Sequence, residues 1–201
     1  MSRDQPLSLR FTMALVLSLV CLTSAACADS QPAMDTSRNN RVKDEATAKE
    51  VRKAAEEGDA SAQYRLGLLY EGGVGVPQNY KKAKEWFEKA AKQGHVGAQA
   101  DLGTLYLQGA GAPQSAQMAV FWFSQAAEHG DVLVFAKLGW MYAEGRGVRQ
   151  DFIQAHMWYN LAAAQGEPRA AEARDALATQ MTPAQIAEAQ RLAREWKPKE
   201  K

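Results

Sequence analysis

The chain has 201 residues, enough for one domain or a short array of small units. Its 24 basic and 23 acidic residues nearly cancel, so net charge gives no support for nucleic-acid binding, which draws on a basic face, although it leaves a local patch open. Both cysteines, Cys21 and Cys27, lie in the first 28 residues, so the rest of the chain holds neither a disulfide framework nor thiolate metal ligands.

The N-terminus has the form of an export signal. Arg3 and Arg10 make a positive start that Asp4 dilutes, and an uncharged run follows from Phe11, with its apolar centre between Met13 and Leu22. That centre, about ten residues long, falls short of the ~20 needed to span a bilayer and fits a secretory apolar region. Small residues close it, Ser24-Ala25-Ala26-Cys27-Ala28. Residues 1–28 are expected to be cleaved, by one of two chemistries. Ala26-Cys27-Ala28 is an A-x-A site that releases a soluble chain; Ser24-Ala25-Ala26-Cys27 is a lipobox-like alternative, with Ser24 where leucine is usual. The expected destination is the periplasm or the exterior, with a membrane tether only if Cys27 is lipidated; the mature chain is neutral.

Residues 29–41 are polar and read as a flexible linker. Residues 42–58 turn helical and end in Ala54-Ala55-Glu56-Glu57-Gly58, which recurs 36 residues later as Ala90-Ala91-Lys92-Gln93-Gly94. They are expected to form an N-terminal capping helix, the second half of a repeat unit.

The 36-residue beat then strikes three times, over 59–94, 95–130 and 131–166. Leu66-Gly67, Leu102-Gly103 and Leu138-Gly139 are in register, as are Tyr70, Tyr106 and Tyr142, and Trp86, Trp122 and Trp158. A fixed period of this size marks a stack of small units, so the fold class is all-α, an α/α superhelical solenoid of three helix-turn-helix repeats with helical caps at both ends. In each first helix Ala62, Leu66 and Tyr70 make one stripe, and Gly67 beside it admits a neighbouring helix. Gly73-Val74-Gly75 reverses the chain. Asn79, Ser115 and Asp151 occupy one position and are N-caps for the second helix, whose buried side carries Ala83, Trp86, Phe87 and Ala90. These repeat residues are read as structural, the tryptophans and tyrosines mostly as core.

After Gly166 the beat fails. Residues 167–201 are expected to cap the array with a helix from Arg169 to Thr179 and another opened by Thr182, Pro183 and the capping-box residue Gln185, its stripe Ile186, Ala189, Ala193 and Trp196 lying back on the array, followed by a charged tail.

The run from Ala62 to Val76, A-x-x-x-L-G-x-x-Y-x-x-G-x-G-V, and the run from Lys82 to Ala91, K-A-x-x-W-F-x-K-A-A, resemble the Sel-1-like repeat, a relative of the tetratricopeptide repeat. The copies depart from it at Ala112, Val134 and Leu161. The resemblance implies an adaptor for protein complexes. It also implies a binding groove lined by the first helices, here Tyr64, Leu68, Ala100, Thr104, Ala136 and Trp140, with Leu107 and Leu133 on the same side. A cysteine-rich branch of the family is linked to penicillin hydrolysis, but no repeat here carries cysteine. Trp140 stands where Leu68 and Thr104 stand in the other copies, and is read either as an exposed binding anchor or as packed under the C-terminal helices.

Chemistry is sparse. His95, His129 and His156 have no i, i+4 spacing, so no metal site is expected. No G-x-S-x-G elbow or phosphate loop occurs, and no cofactor or catalytic constellation is expected. The expected function is an exported scaffold that binds a peptide or partner domain in the first-helix groove. The alternative is a binder of cell-wall glycan or muropeptide through exposed aromatics; a wall hydrolase would need a paired acid and base that the sequence does not show.

Overall fold

The N-caps of all three second helices are used, as are those of the first helices of repeats one and two. Asp59 Oδ1 accepts from the Ala62 N–H at 2.5 Å, Asn79 Oδ1 from Lys82 at 3.0 Å, Ser115 Oγ from Met118 at 3.3 Å and Asp151 Oδ1 from Gln154 at 3.0 Å. Even His95 serves, its Nδ1 accepting from Ala98 at 3.2 Å. Each cap satisfies an N–H that the helix leaves without a partner, worth about 1 kcal/mol. The structure, a computed structural model, describes the backbone of residues 32–199 and the side chains of residues 43–199.

Among the described residues the helices are α1 (Pro32–Glu56), α2 (Ala60–Gly72), α3 (Tyr80–Lys92), α4 (Val96–Gln108), α5 (Ala116–Glu128), α6 (Phe135–Glu144), α7 (Phe152–Ala164), α8 (Pro168–Ala178) and α9 (Pro183–Glu195), with one 3₁₀ turn at Val132–Val134. No strand occurs among them. The array lies in residues 41–201, one of the two compact units of the chain. The export signal and Cys27 lie outside the described residues. Helix α1 runs through the described part of the expected linker, from Pro32 on.

Packing is between neighbours: α2 with α3, α4 with α5 and α6 with α7 make the hairpins, α3 meets α4, and α7 carries both α8 and α9. Two glycine positions set these distances. A Cβ on Gly103 or Gly139 would lie 2.7 Å from the ring of Phe123 or Tyr159, and one on Gly67 would strike Phe87. The turn glycines Gly75, Gly111 and Gly147 have φ of +67°, +72° and +76°. A Cβ on them would strike the carbonyls of Asp44, Tyr80 and Ala116, which are themselves one repeat apart. Each turn thus closes on the preceding unit with its backbone in the left-handed region, a combination only glycine meets. A second device recurs beside it: Gln78, Gln114 and Gln150 donate to the carbonyls of Glu71, Leu107 and Ala143 at 2.8, 2.7 and 2.8 Å.

The deep core is Leu66, Leu102 and Leu138 against Phe87 and Phe123, with Ala83, Ala90, Ala119 and Ala126. The tryptophans differ from the expectation. Trp158 is buried, but Trp86 and Trp122 are half-buried, with Phe87 and Phe123 going deep in their place. Lys89 sits 3.8 Å over the Trp86 ring, a cation on the exposed face. Tyr70 is buried, whereas Tyr106 and Tyr142 are half-buried. Tyr106 donates to Glu88 Oε1 at 3.1 Å.

Two helices, α8 and α9, follow the third repeat. Thr182 and Gln185 form the capping box of α9, and Ala170, Leu177, Met181 and Ala189 are buried against the third repeat.

Candidate functional site

The Leu66 stripe turns one side of each first helix into the hairpin and leaves the other to α2, α4 and α6 in sequence. On that side the structure links adjacent repeats by polar rungs. The Tyr64 hydroxyl donates to Asp101 Oδ2 at 3.0 Å, from α2 to α4. Lys137 Nζ donates to Thr104 Oγ1 at 3.2 Å, from α6 to α4, while Thr104 Oγ1 donates to the Ala100 carbonyl at 3.1 Å. The Tyr64 ring stacks on His95 with centroids 4.3 Å apart.

Burial and like charge tune the acids of this face. Burial raises the Asp101 carboxyl above its ordinary value, against the lowering pull of the Tyr64 hydroxyl and Lys137. Glu71 is raised by burial and then by the Asp101 charge. Tyr64 is pushed up to about 12, by burial first and by Asp101 second. His95 is lowered, chiefly by burial.

The expected groove residues divide. Tyr64 and Thr104 belong to the rungs. Leu68 and Leu133 are exposed, at 38% and 78% of their surface. Leu107 and Trp140 are half-buried and pack on the edge of the core. The Arg146 guanidinium lies 4.9 Å over the Trp140 ring. Trp140 is therefore partly covered, by core beneath and by a cation on one face. Sequence reading passed over Asp101, Lys137 and Glu71. Asp101 and Lys137 share one register, 36 apart, and Glu71 shares that of Leu107.

Other candidates lie elsewhere. A cavity of about 520 Å³ is bordered by Tyr142, Val148–Ile153 and Gln185, and one of about 280 Å³ opens between α7 and α9 at Asn160, Leu161 and Gln190. Among the described residues no group of three or more His, Cys, Asp or Glu side chains is placed to hold a metal ion. No described helix is long and apolar enough to cross a membrane. His129 Nδ1 lies 3.0 Å from Gln99 Oε1, and His156 is buried within α7.

The model of the Sel1 repeat matches residues 60–95, 96–131 and 136–167. The chain belongs to the Sel1 repeat family. A Sel1 repeat protein from Oxalobacter formigenes is similar at 39% identity and a TM-score of 0.60, over 63% of this chain and 52% of that one. The protein c5321, a protective antigen present in uropathogenic Escherichia coli strains and displaying an SLR fold, is similar at 30% identity and a TM-score of 0.56, over 74% of this chain and 40% of that one. The Sel1 array described here thus spans about half or less of each solved relative. No curated protein matches. With this family the nine described helices make an α/α solenoid, and Sel1 repeat proteins are generally non-catalytic scaffolds for protein–protein interaction.

Proposed function

We propose that this Sel1 chain is an exported adaptor that binds a peptide or partner domain along the groove formed by α2, α4 and α6. Leu68, Leu133 and Trp140 supply apolar contact, Leu107 lies at its margin, and the rungs through Tyr64 and Thr104 fix the spacing of its walls. One observation carries the reading: Leu133, four residues before Lys137 on the same face, leaves 78% of its surface in water. A single exposed leucine is ordinary; this one stands at the mouth of a face already braced by inter-repeat hydrogen bonds. Sugar stacking is less favoured, because Arg146 already covers one face of Trp140.

Affinity capture from envelope extract tests it, comparing the mature chain with Leu133→Asp and Trp140→Ala. A protein enriched by the natural chain and lost with both variants supports the groove. Equal capture by both variants moves the interface off this face. Cell fractionation tests export, and recovery of the unprocessed chain in the cytoplasm would overturn it.

A further inference from the structure

The third repeat breaks a polar pattern that the first two keep, and the chain's own C-terminus fills the break. Gln63 Nε2 donates to the Ala55 carbonyl and Gln99 Nε2 to the Ala91 carbonyl, both at 3.2 Å. Each glutamine clamps the end of the preceding second helix. The next residue in register is Phe135, which is buried and has no donor to offer. Its ring instead packs directly on that of Trp158, centroids 5.6 Å apart at 39°, and the two make one aromatic surface.

Trp196 packs edge-on against both rings. It lies 5.1 Å from Phe135 at 80° and 5.8 Å from Trp158 at 67°, the T-shaped geometry that ring quadrupoles favour. At Trp196 the backbone leaves α9 with φ −64° and ψ 133°, close to polyproline II. Pro198 then passes over Gly130, where an added Cβ would be 3.9 Å away. Lys199, the last described residue, adds two contacts, its N–H donating to the Glu128 carbonyl at 2.7 Å and its ammonium pairing with the Glu128 carboxylate at 2.5 Å. The tail is therefore held as extended peptides are held: an aromatic anchor, a proline-stiffened backbone, one main-chain hydrogen bond and one charge pair.

We propose that the surface made by Phe135, Trp158, Glu128 and Gly130 is a peptide-recognition site for an extended Trp-x-Pro-Lys segment of a partner protein, and that the chain's own tail occupies it in cis. This site is separate from the groove of α2, α4 and α6 and stands or falls independently of it. The covalently attached tail competes at an effective concentration on the order of millimolar, so a partner segment gains access when the tail is released or outcompeted.

The probe is a fluorescein-labelled peptide of residues 193–199, Ala-Arg-Glu-Trp-Lys-Pro-Lys, followed by fluorescence anisotropy against the otherwise full chain carrying Trp196→Ala. This variant is expected to bind the peptide at least about tenfold more tightly than the natural chain, whose tail competes. Replacing the peptide's tryptophan with alanine should weaken binding about 30-fold, the ratio a hot-spot tryptophan carries. Adding Phe135→Gln, which restores the residue of the other repeats, should remove it. Lys199→Glu loosens the tail while keeping Trp196 in the chain, and decides the question if Trp196→Ala loses helical circular dichroism. Absence of peptide binding to the folded open-tail variant overturns the proposal, as does binding indifferent to the peptide's tryptophan or to Phe135.

Discussion

Replacing Gly103 with alanine tests what sets the distance between α4 and α5. By helix propensity alone the change should help, by about 1 kcal/mol. Packing says the reverse. An alanine Cβ would sit 2.7 Å from Cδ1 and Cε1 of Phe123 and 3.2 Å from Cγ, where carbon contacts are normally about 3.5–4.0 Å. Phe123 is wholly buried in the core with Ala119, Ala126 and Ala127, so its ring has no free space to enter. Overpacking costs about 1–3 kcal/mol, and a clash with a buried ring belongs at the upper end. The net expectation is a loss of about 1–2 kcal/mol. Gly97→Ala on the same helix is the control: its Cβ would meet the hydroxyl end of half-buried Tyr64 at 3.2 Å. Tyr64 is tied to Asp101 but need give only a few tenths of an ångström. Strain on that hydrogen bond offsets part of the propensity gain, so the result should lie within about 1 kcal/mol of the natural chain. Urea unfolding followed by circular dichroism reads both, with midpoints compared at matched slopes. If Gly103→Ala leaves the midpoint as high as Gly97→Ala does, the close approach of the helices is not what the glycine serves.

Asn79→Ala removes the cap that accepts from Lys82 and should lower stability by about 1 kcal/mol, whereas Asn79→Asp, which keeps an acceptor, should hold it; thermal unfolding separates the two. The half-buried acid Asp101 and the buried imidazole of His156 predict opposite pH slopes. Because burial raises Asp101 in the folded chain, the native state takes up that proton first, so stability rises as pH falls through the raised value; urea midpoints from pH 7 to pH 4 should show the natural chain gaining on Asp101→Asn. His156, 2% exposed with Nδ1 unpartnered, is lowered by burial and then by Arg174, against a smaller opposing pull from Asp175. The unfolded chain therefore binds the proton first, and stability is lost as pH falls through the ordinary value of 6.5. His156→Leu should lose less stability than the natural chain between pH 7.5 and pH 5.5, in the same assay, and an unchanged slope would mean that His156 ionises freely in the fold.

What the sequence made legible is what each hairpin does for itself. Caps, turn glycines and the Leu66 stripe act within one unit, so they repeat with it and the 36-residue beat exposes them. The choice between adjacent aromatics was hidden. Trp86 and Phe87 are one residue apart on α3, and only the position of Gly67 on the facing helix decides that Phe87 goes deep. The inter-repeat rungs were hidden for a different reason: Tyr64–Asp101 spans 37 residues and Thr104–Lys137 spans 33, so neither pair is a multiple of the beat. That residues 32–41 are helical was obscured by a polar composition that gave no apolar stripe to follow. Phe135 was visible as a departure from Gln63 and Gln99, yet its partner Trp196 lies beyond the last repeat and could be matched to it only through the path of the tail.

The departures gather in one place. Leu133, Phe135 and Trp140 all open or line the first helix of the third repeat, where the expected α-helical start becomes a 3₁₀ turn and the family match resumes only at residue 136. In a solenoid every unit must meet the same stacking constraint, so residues that hold the stack stay in register. A unit that abandons the register while keeping Leu138, Gly139 and the Asp151 cap keeps its own hairpin, and exchanges the glutamine clamp on the preceding helix for a buried ring, Phe135. Of its unusual side chains Leu133 is left in water, whereas Phe135 and Trp140 also pack in or on the core, and both proposed binding surfaces draw on them. Moving the third repeat's opening back to register, with Leu133→Gly and Phe135→Gln together, should leave the hairpin of α6 and α7 folded while removing tail recognition and groove capture at once. A chain that instead unfolds would show these residues to be structural replacements.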